Sequence, residues 1–166
     1  MYFPSFQSCV VYFLIGFQAV AGKFFIFMLF MFLCSLAATS LALMVSALCK
    51  TTDMSVTVLP LALEVTRLFG GFFLAPSRLP KYFSWLDALS YIKYTFDGMA
   101  LNELSGLRLT CTPEDEMKAS CIKTGEYFIT ERGYDYITIG GCVGALLAYI
   151  IFCRTIAFLG VRFLKN

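Results

Sequence analysis

FFIFMLFMFLCSLAATSLALMVSALC, residues 24–49, runs without one charged side chain. A bilayer hydrocarbon core of about 30 Å needs roughly 20 consecutive apolar residues in a helix, which alone satisfies every backbone polar group within the segment. Residues 24–49 meet that requirement, and working outward three further stretches approach it. Residues 1–22 carry no charge, although Pro4, Gln7 and Gln18 weaken them, and Lys23 then interrupts. On the other side Lys50-Thr51-Thr52-Asp53 is a polar connector to a third apolar stretch, 54–75. A fourth runs over 136–160, with Arg154 inside it. The pattern predicts four spans, at about 3–22, 24–49, 54–75 and 136–160.

Composition agrees with lipid as the solvent. Of 166 residues, 59% are hydrophobic and 14% charged, against about 45–50% and 25% in soluble domains. A chain this short has too few interior sites to hide so much apolar surface from water. The net charge of +2 gives no electrostatic footprint for nucleic acid. Met1 is not followed by a basic segment, so a cleaved signal peptide is not expected. The chain begins apolar, as a piece of a longer membrane protein would. The fold class expected is an all-α membrane protein of about four transmembrane helices.

Residues 76–135 differ from the rest. Between Lys81 and Phe96 aromatics alternate with single charges, and Tyr and Trp favour the headgroup level because one end is apolar and the other wet. Short interfacial or re-entrant helices are expected there. From Leu104 to Gly133 the chain is polar enough for a folded aqueous loop. Small residues let helices approach closely in lipid. Gly140 and Gly144 form a GxxxG, extended by Gly141, Ala145 and Ala148; Ser35, Ala38, Thr39, Ala42 and Ser46 do the same for 24–49. Packing within the chain is expected at these positions, rather than a dedicated dimer face.

Few side chains could carry chemistry. No His is present, which excludes His-dependent triads and the His-containing zinc motifs. Gly16 to Lys23 superficially resembles a phosphate-binding loop. It is one residue too long, has Phe24 where a Mg²⁺-ligating Ser or Thr belongs, and lies between apolar helices. Glu114-Asp115-Glu116 lacks the alternating ligands and turn glycine of a calcium loop. Neither a metal site nor a catalytic residue is expected. Cys9, Cys34, Cys49, Cys142 and Cys153 fall in or beside apolar helices, where free Cys acts as a small hydrophobe. Cys111 and Cys121 lie in the polar loop, either bridged, which requires an oxidising compartment, or as two free thiols. Glu64 and Arg67 stand inside the third apolar stretch on one helical face. Charged residues there cost about 2.5–3.5 kcal/mol each at mid-bilayer and usually face a cavity or a partner. They either line a substrate path or lock packing through an ion pair.

Together Phe69-Gly70-Gly71-Phe72-Phe73-Leu74, Leu79-Pro80, Trp85-Leu86, Leu89-Ser90-Tyr91, Lys93-Tyr94, Ala100-Leu101-Asn102-Glu103 and Gly106 resemble the G subfamily of ABC transporters, the White and breast-cancer-resistance type. Cys111, Cys121 and Gly125-Glu126-Tyr127 continue the likeness. It implies a partial ABC-2 type transmembrane domain over 1–166, holding the third to sixth of six helices, with 76–135 as the large external loop. The loop would lie outside the cell or in a lumen, the C-terminus in the cytosol, and the plasma membrane is the membrane expected. The resemblance further implies a Cys111–Cys121 disulfide and a plug between two subunits at Phe72 and Phe73, where well-studied drug exporters have leucines. It places a substrate path along Pro60, Leu63, Glu64 and Arg67, where the charged pair departs from the apolar lining of multidrug members.

The partners implied are membrane lipid, a nucleotide-binding domain from a preceding segment, and a second half-transporter. ATP and Mg²⁺ would be held by that nucleotide-binding domain, not by this chain. Function is then export of lipid-like or other hydrophobic substrates; the alternative is a truncated, non-transporting protein that dimerises with intact relatives and regulates them.

Overall fold

The computed structural model describes residues 2–17, 20–68, 70, 89–107, 125–132 and 137–164. Among them the regular structure is helical: α1 Tyr2–Ile15, α2 Ala21–Leu48, α3 Thr52–Leu68, α4 Tyr91–Leu104, α5 Gly125–Arg132 and α6 Ile139–Leu164. The expected all-α membrane class stands on these helices and their apolar composition. Two of them, α2 and α6, are long and apolar enough to cross a bilayer.

Residues 3–22 do not form one helix. Gly16 adopts φ +75°, a conformation that lacks a steric penalty only without a Cβ, and Phe17 donates its N–H to the Tyr12 carbonyl at 3.4 Å. This is a Schellman-type stop. α1 therefore has 14 residues, about 21 Å at 1.5 Å per residue, and α2 begins only after extended Val20. The two are joined by aromatic packing, with Tyr12 at ring-centroid distances of 5.1 Å from Phe24 and 5.3 Å from Phe27. Lys23, expected as an interruption, lies in the first turn of α2. It is tolerated because its ammonium leaves the helix and donates to the Ser105 carbonyl at 2.7 Å.

α2 is the central helix. Phe30, Leu33, Ala37, Leu41 and Val45 form the core with Tyr91 of α4 and Cys142, Leu146 and Ile150 of α6. α6 runs parallel to α2, since Arg154 reaches Ser40 and Gly160 lies beside Ala47. Lys50 and Arg162 consequently share one end of the bundle. The small residues that permit this approach are Ala37, Ser40 and Ala47, all buried. They stand one position from the expected Ala38, Thr39 and Ser46. The GxxxG of α6 also departs from expectation, because a Cβ at Gly140 or Gly144 would meet nothing within 4 Å. That face is unpacked among the described residues.

α4 runs antiparallel to α2 from the middle of the bundle back to the Lys23 end. Its first turns lie against Cys34 through Thr95, about 20 Å along α2 from Ala21 at 1.5 Å per residue. Its later turns meet Phe30 at Gly98, and Asn102 donates to the Lys23 carbonyl at 3.0 Å. A helix that starts at mid-depth and returns has the geometry of the re-entrant element expected here. It is deeply packed rather than interfacial: Asp97 and Ser90 are both 1% exposed.

Candidate functional site

α3 is held against this core by one side only. Leu59, Ala62 and Leu63 pack against the core cluster. At 100° per residue, Pro60, Glu64 and Arg67 fall together on an adjoining flank, about 110° round the helix from the core-facing residues, and all three are exposed. Leu63 thus parts company with the other three residues expected along the substrate path, because it turns to the core edge. Arg67 Nη1 lies 3.3 Å from Glu64 Oε1, with the side chains 66% and 62% exposed. An ion pair so open does not lock α3 to its neighbours; its strength comes from within one helix face. No residue of α3 is buried, so this helix offers a free surface with paired charge in otherwise apolar surroundings.

Pro60 lies inside α3. Its ring removes one N–H from the helix ladder and crowds the carbonyl four residues earlier, which softens α3 a turn before Glu64. Beyond Leu68 the helix stops, and Ser90 anchors the chain's return: its hydroxyl donates to the Thr66 carbonyl at 2.7 Å and accepts from the Lys93 N–H at 3.4 Å, capping α4. α3 and α4 are thereby tied end to end at mid-depth. At its other terminus α4 has Lys23 on its exposed carbonyls, a cation at the negative end of the helix dipole.

A cavity of about 320 Å³ opens on another flank of α3, lined by Leu41, Met44, Leu61, Val65, Tyr149 and Phe152. It is bounded by α2, α3 and α6 and does not include Pro60, Glu64 or Arg67. The sequence gives no direct signal for it, since its lining residues are apolar like their neighbours. The tethers Ser90, Lys23 and Asn102 were likewise unforeseen, although a Ser immediately before a helical run is a recognisable N-cap signal. Phe72, Phe73, Cys111 and Cys121 lie outside the described residues, as does most of the loop 76–135. Cys9, Cys34, Cys49, Cys142 and Cys153 are free thiols. Among the described residues no three His, Cys, Asp or Glu side chains gather as a metal site would need.

A parallel pair of long apolar helices, a packed return helix and a loosely held third helix with an exposed ion pair make up the architecture of an all-α integral membrane protein. Residues 5–104 match the ABC-2 type transporter family, and the chain belongs to it. The relatives are G-family ABC transporters. It is 30% identical over 129 residues to protein white of Ceratitis capitata, covering 76% of this chain and 19% of that protein. It is 30% identical over 151 residues to ABC transporter G family member 23 of Arabidopsis thaliana, covering 91% and 24%. With the broad substrate specificity ATP-binding cassette transporter ABCG2 of Bos taurus it shares 28% identity over 164 residues, covering 96% and 25%. The chain thus spans about a quarter or less of the length of these relatives.

Proposed function

We propose that this chain is the membrane-spanning part of an ATP-driven exporter of lipid-like or other hydrophobic substrates, with α3 lining the substrate path. The observation that carries this reading is the outward face of α3, where Pro60, Glu64 and Arg67 stand exposed on a helix with no buried residue. Charged side chains in a membrane span are stable where they meet water or a partner, and a path through the membrane supplies both. Energy would come from a nucleotide-binding domain, which holds ATP and Mg²⁺, and the path would close against a second half-transporter. Phe72 and Phe73 are the proposed plug at its far end, and Cys111–Cys121 the proposed staple of an external loop. In that orientation Lys50 and Arg162 lie at the cytosolic end, in keeping with the positive-inside tendency.

The test uses the full-length protein reconstituted in lipid vesicles. Replacing Glu64 and Arg67 together by alanine should leave the folded protein intact, since an exposed helix pair is worth only about 0.3–0.5 kcal/mol. It should change which hydrophobic compounds stimulate ATP hydrolysis and are exported. Unchanged stimulation and export across the compound set would remove α3 from the path.

A further inference from the structure

Arg154 stands where a cation is costly, and the chain itself satisfies it only in part. It lies in the apolar run of α6 and is exposed. Its Nε–H donates to the Ser40 hydroxyl at 3.3 Å, and Ser40, fully buried, donates its own O–H to the Leu36 carbonyl at 2.7 Å. Among the described residues this is the one hydrogen bond Arg154 makes. A guanidinium has five N–H donors, so the four on its terminal nitrogens have no hydrogen-bond partner among the described residues.

Snorkelling does not relieve this. The basic end of the bundle is marked by Lys50 and by exposed Arg162, eight positions beyond Arg154 and so about 12 Å further along the axis. Side chains on a helix lean toward its N-terminus, which here is away from that end; Arg154 is near the middle of α6, and the bond to Ser40 holds the guanidinium about 12 Å short of the end of α2 at 1.5 Å per residue. An arginine at such depth costs about 2.5–3.5 kcal/mol unless it faces a bundle interior or water. Yet the face it occupies is an outer one. Ile151 and Phe158, which flank Arg154 on the same side, are 65% and 63% exposed. Gly140 and Gly144 continue the face toward the other end with open space above them.

We propose that this face of α6 docks another transmembrane helix, one that carries an aspartate or glutamate at the depth of Arg154. A carboxylate is the acceptor that matches two parallel guanidinium N–H groups, and its charge cancels the one α6 brings into the bilayer. The described acids of this chain are elsewhere: Glu64 pairs with Arg67 on the outward side of α3, Asp53 and Glu126 stand in the first turns of α3 and α5, and Asp97 and Glu103 lie on α4. The acid therefore comes from a helix outside the described residues.

The experiment places a photo-crosslinking amino acid at Ile151 in the full-length protein, irradiates native membranes and identifies the adduct by mass spectrometry. The expected adduct is a peptide from a transmembrane helix with an Asp or Glu within one turn of the linked residue. Arg154→Leu should lower its yield at least tenfold. Arg154→Glu should abolish it, and exchanging the partner's acid for Arg in that background should restore it. Arg154→Lys, which keeps charge but not the two-pronged geometry, should fall between and covers the case in which Arg154→Glu fails to accumulate. Adducts to lipid alone, adducts to a helix without an acid, or an undiminished yield in Arg154→Leu would each overturn the proposal. None of these readouts depends on transport.

Discussion

Gly98 is the position where one methyl group should do most damage. A Cβ there would coincide with the ring of Phe30, which is 0% exposed in the first half of α2. The ring has no open space to swing into, because it is fully buried in the cluster that also holds Leu33, Cys142 and Leu146. Overpacking of this kind costs about 1–3 kcal/mol, and a clash with a buried ring belongs at the upper end. Against it stands the helix preference for Ala over Gly, about 1 kcal/mol in a helix interior. Gly98→Ala should therefore destabilise the protein by about 2 kcal/mol, the difference between those two figures. Gly22→Ala, where a Cβ would meet nothing within 4 Å, serves as a control and should show no loss. The assay is thermal or SDS-induced unfolding of the purified full-length protein in detergent, followed by circular dichroism. Shortening the ring by Phe30→Leu should make the second change cheaper, so the double variant should be at least 1 kcal/mol more stable than the sum of the singles, within the range seen for contacting residues. A Gly98→Ala protein as stable as the parent, or additivity with Phe30→Leu, would refute the close approach of α4 to α2.

Three other outcomes follow from the same packing. Ser90→Ala removes both the cap of α4 and the link to the Thr66 carbonyl; a loss of about 1–2 kcal/mol is expected from the cap alone, read as faster hydrogen exchange in the first turn of α4. Equal exchange rates would show that the tether is not formed. Lys23→Met leaves the Ser105 carbonyl without its ammonium, and because the bond is exposed the loss should be only about 1 kcal/mol, with Lys23→Arg recovering most of it in the same unfolding assay. In transport, Phe72→Ala with Phe73→Ala in the full-length protein should let ATP hydrolysis continue while export falls; unchanged export with unchanged hydrolysis would reject the plug.

The membrane-spanning character was legible because it rests on length and the absence of charge, which residues 24–49 display without any tertiary information. Boundaries were less so. Lys23 reads as a break on composition, yet a flexible ammonium can leave the first turn and bind carbonyls of a helix some 80 positions away, and no local pattern records that. Gly16 was visible as a glycine but not as a stop, because only its backbone conformation distinguishes the two roles. The small-residue stripe of α2 was displaced by one position, since Ala37-Ala38-Thr39-Ser40 is small at every step and only the neighbour decides which side is buried. On α6 the open surface above Gly140 and Gly144 shows that a GxxxG states what a helix permits, not what it meets. The site was partly readable: Glu64 and Arg67 stand out as charges in an apolar run. That Leu63 turns to the core while Pro60 joins the charged pair depends on where α2 lies.

The side of α3 that carries Glu64 and Arg67 is the one proposed to meet water inside the membrane. Single cysteines at Pro60, Glu64 and Arg67, and at Leu61 and Val65 on the cavity flank, would be introduced into the full-length protein with its reactive native cysteines replaced. Labelling by a membrane-impermeant thiol reagent would then be followed with and without a transported compound. Labelling is expected at 60, 64 and 67, suppressed by the compound, with little at 61 and 65. Labelling at 61 and 65 with none at 60, 64 and 67 would put the path on the other flank of α3 and contradict the proposal.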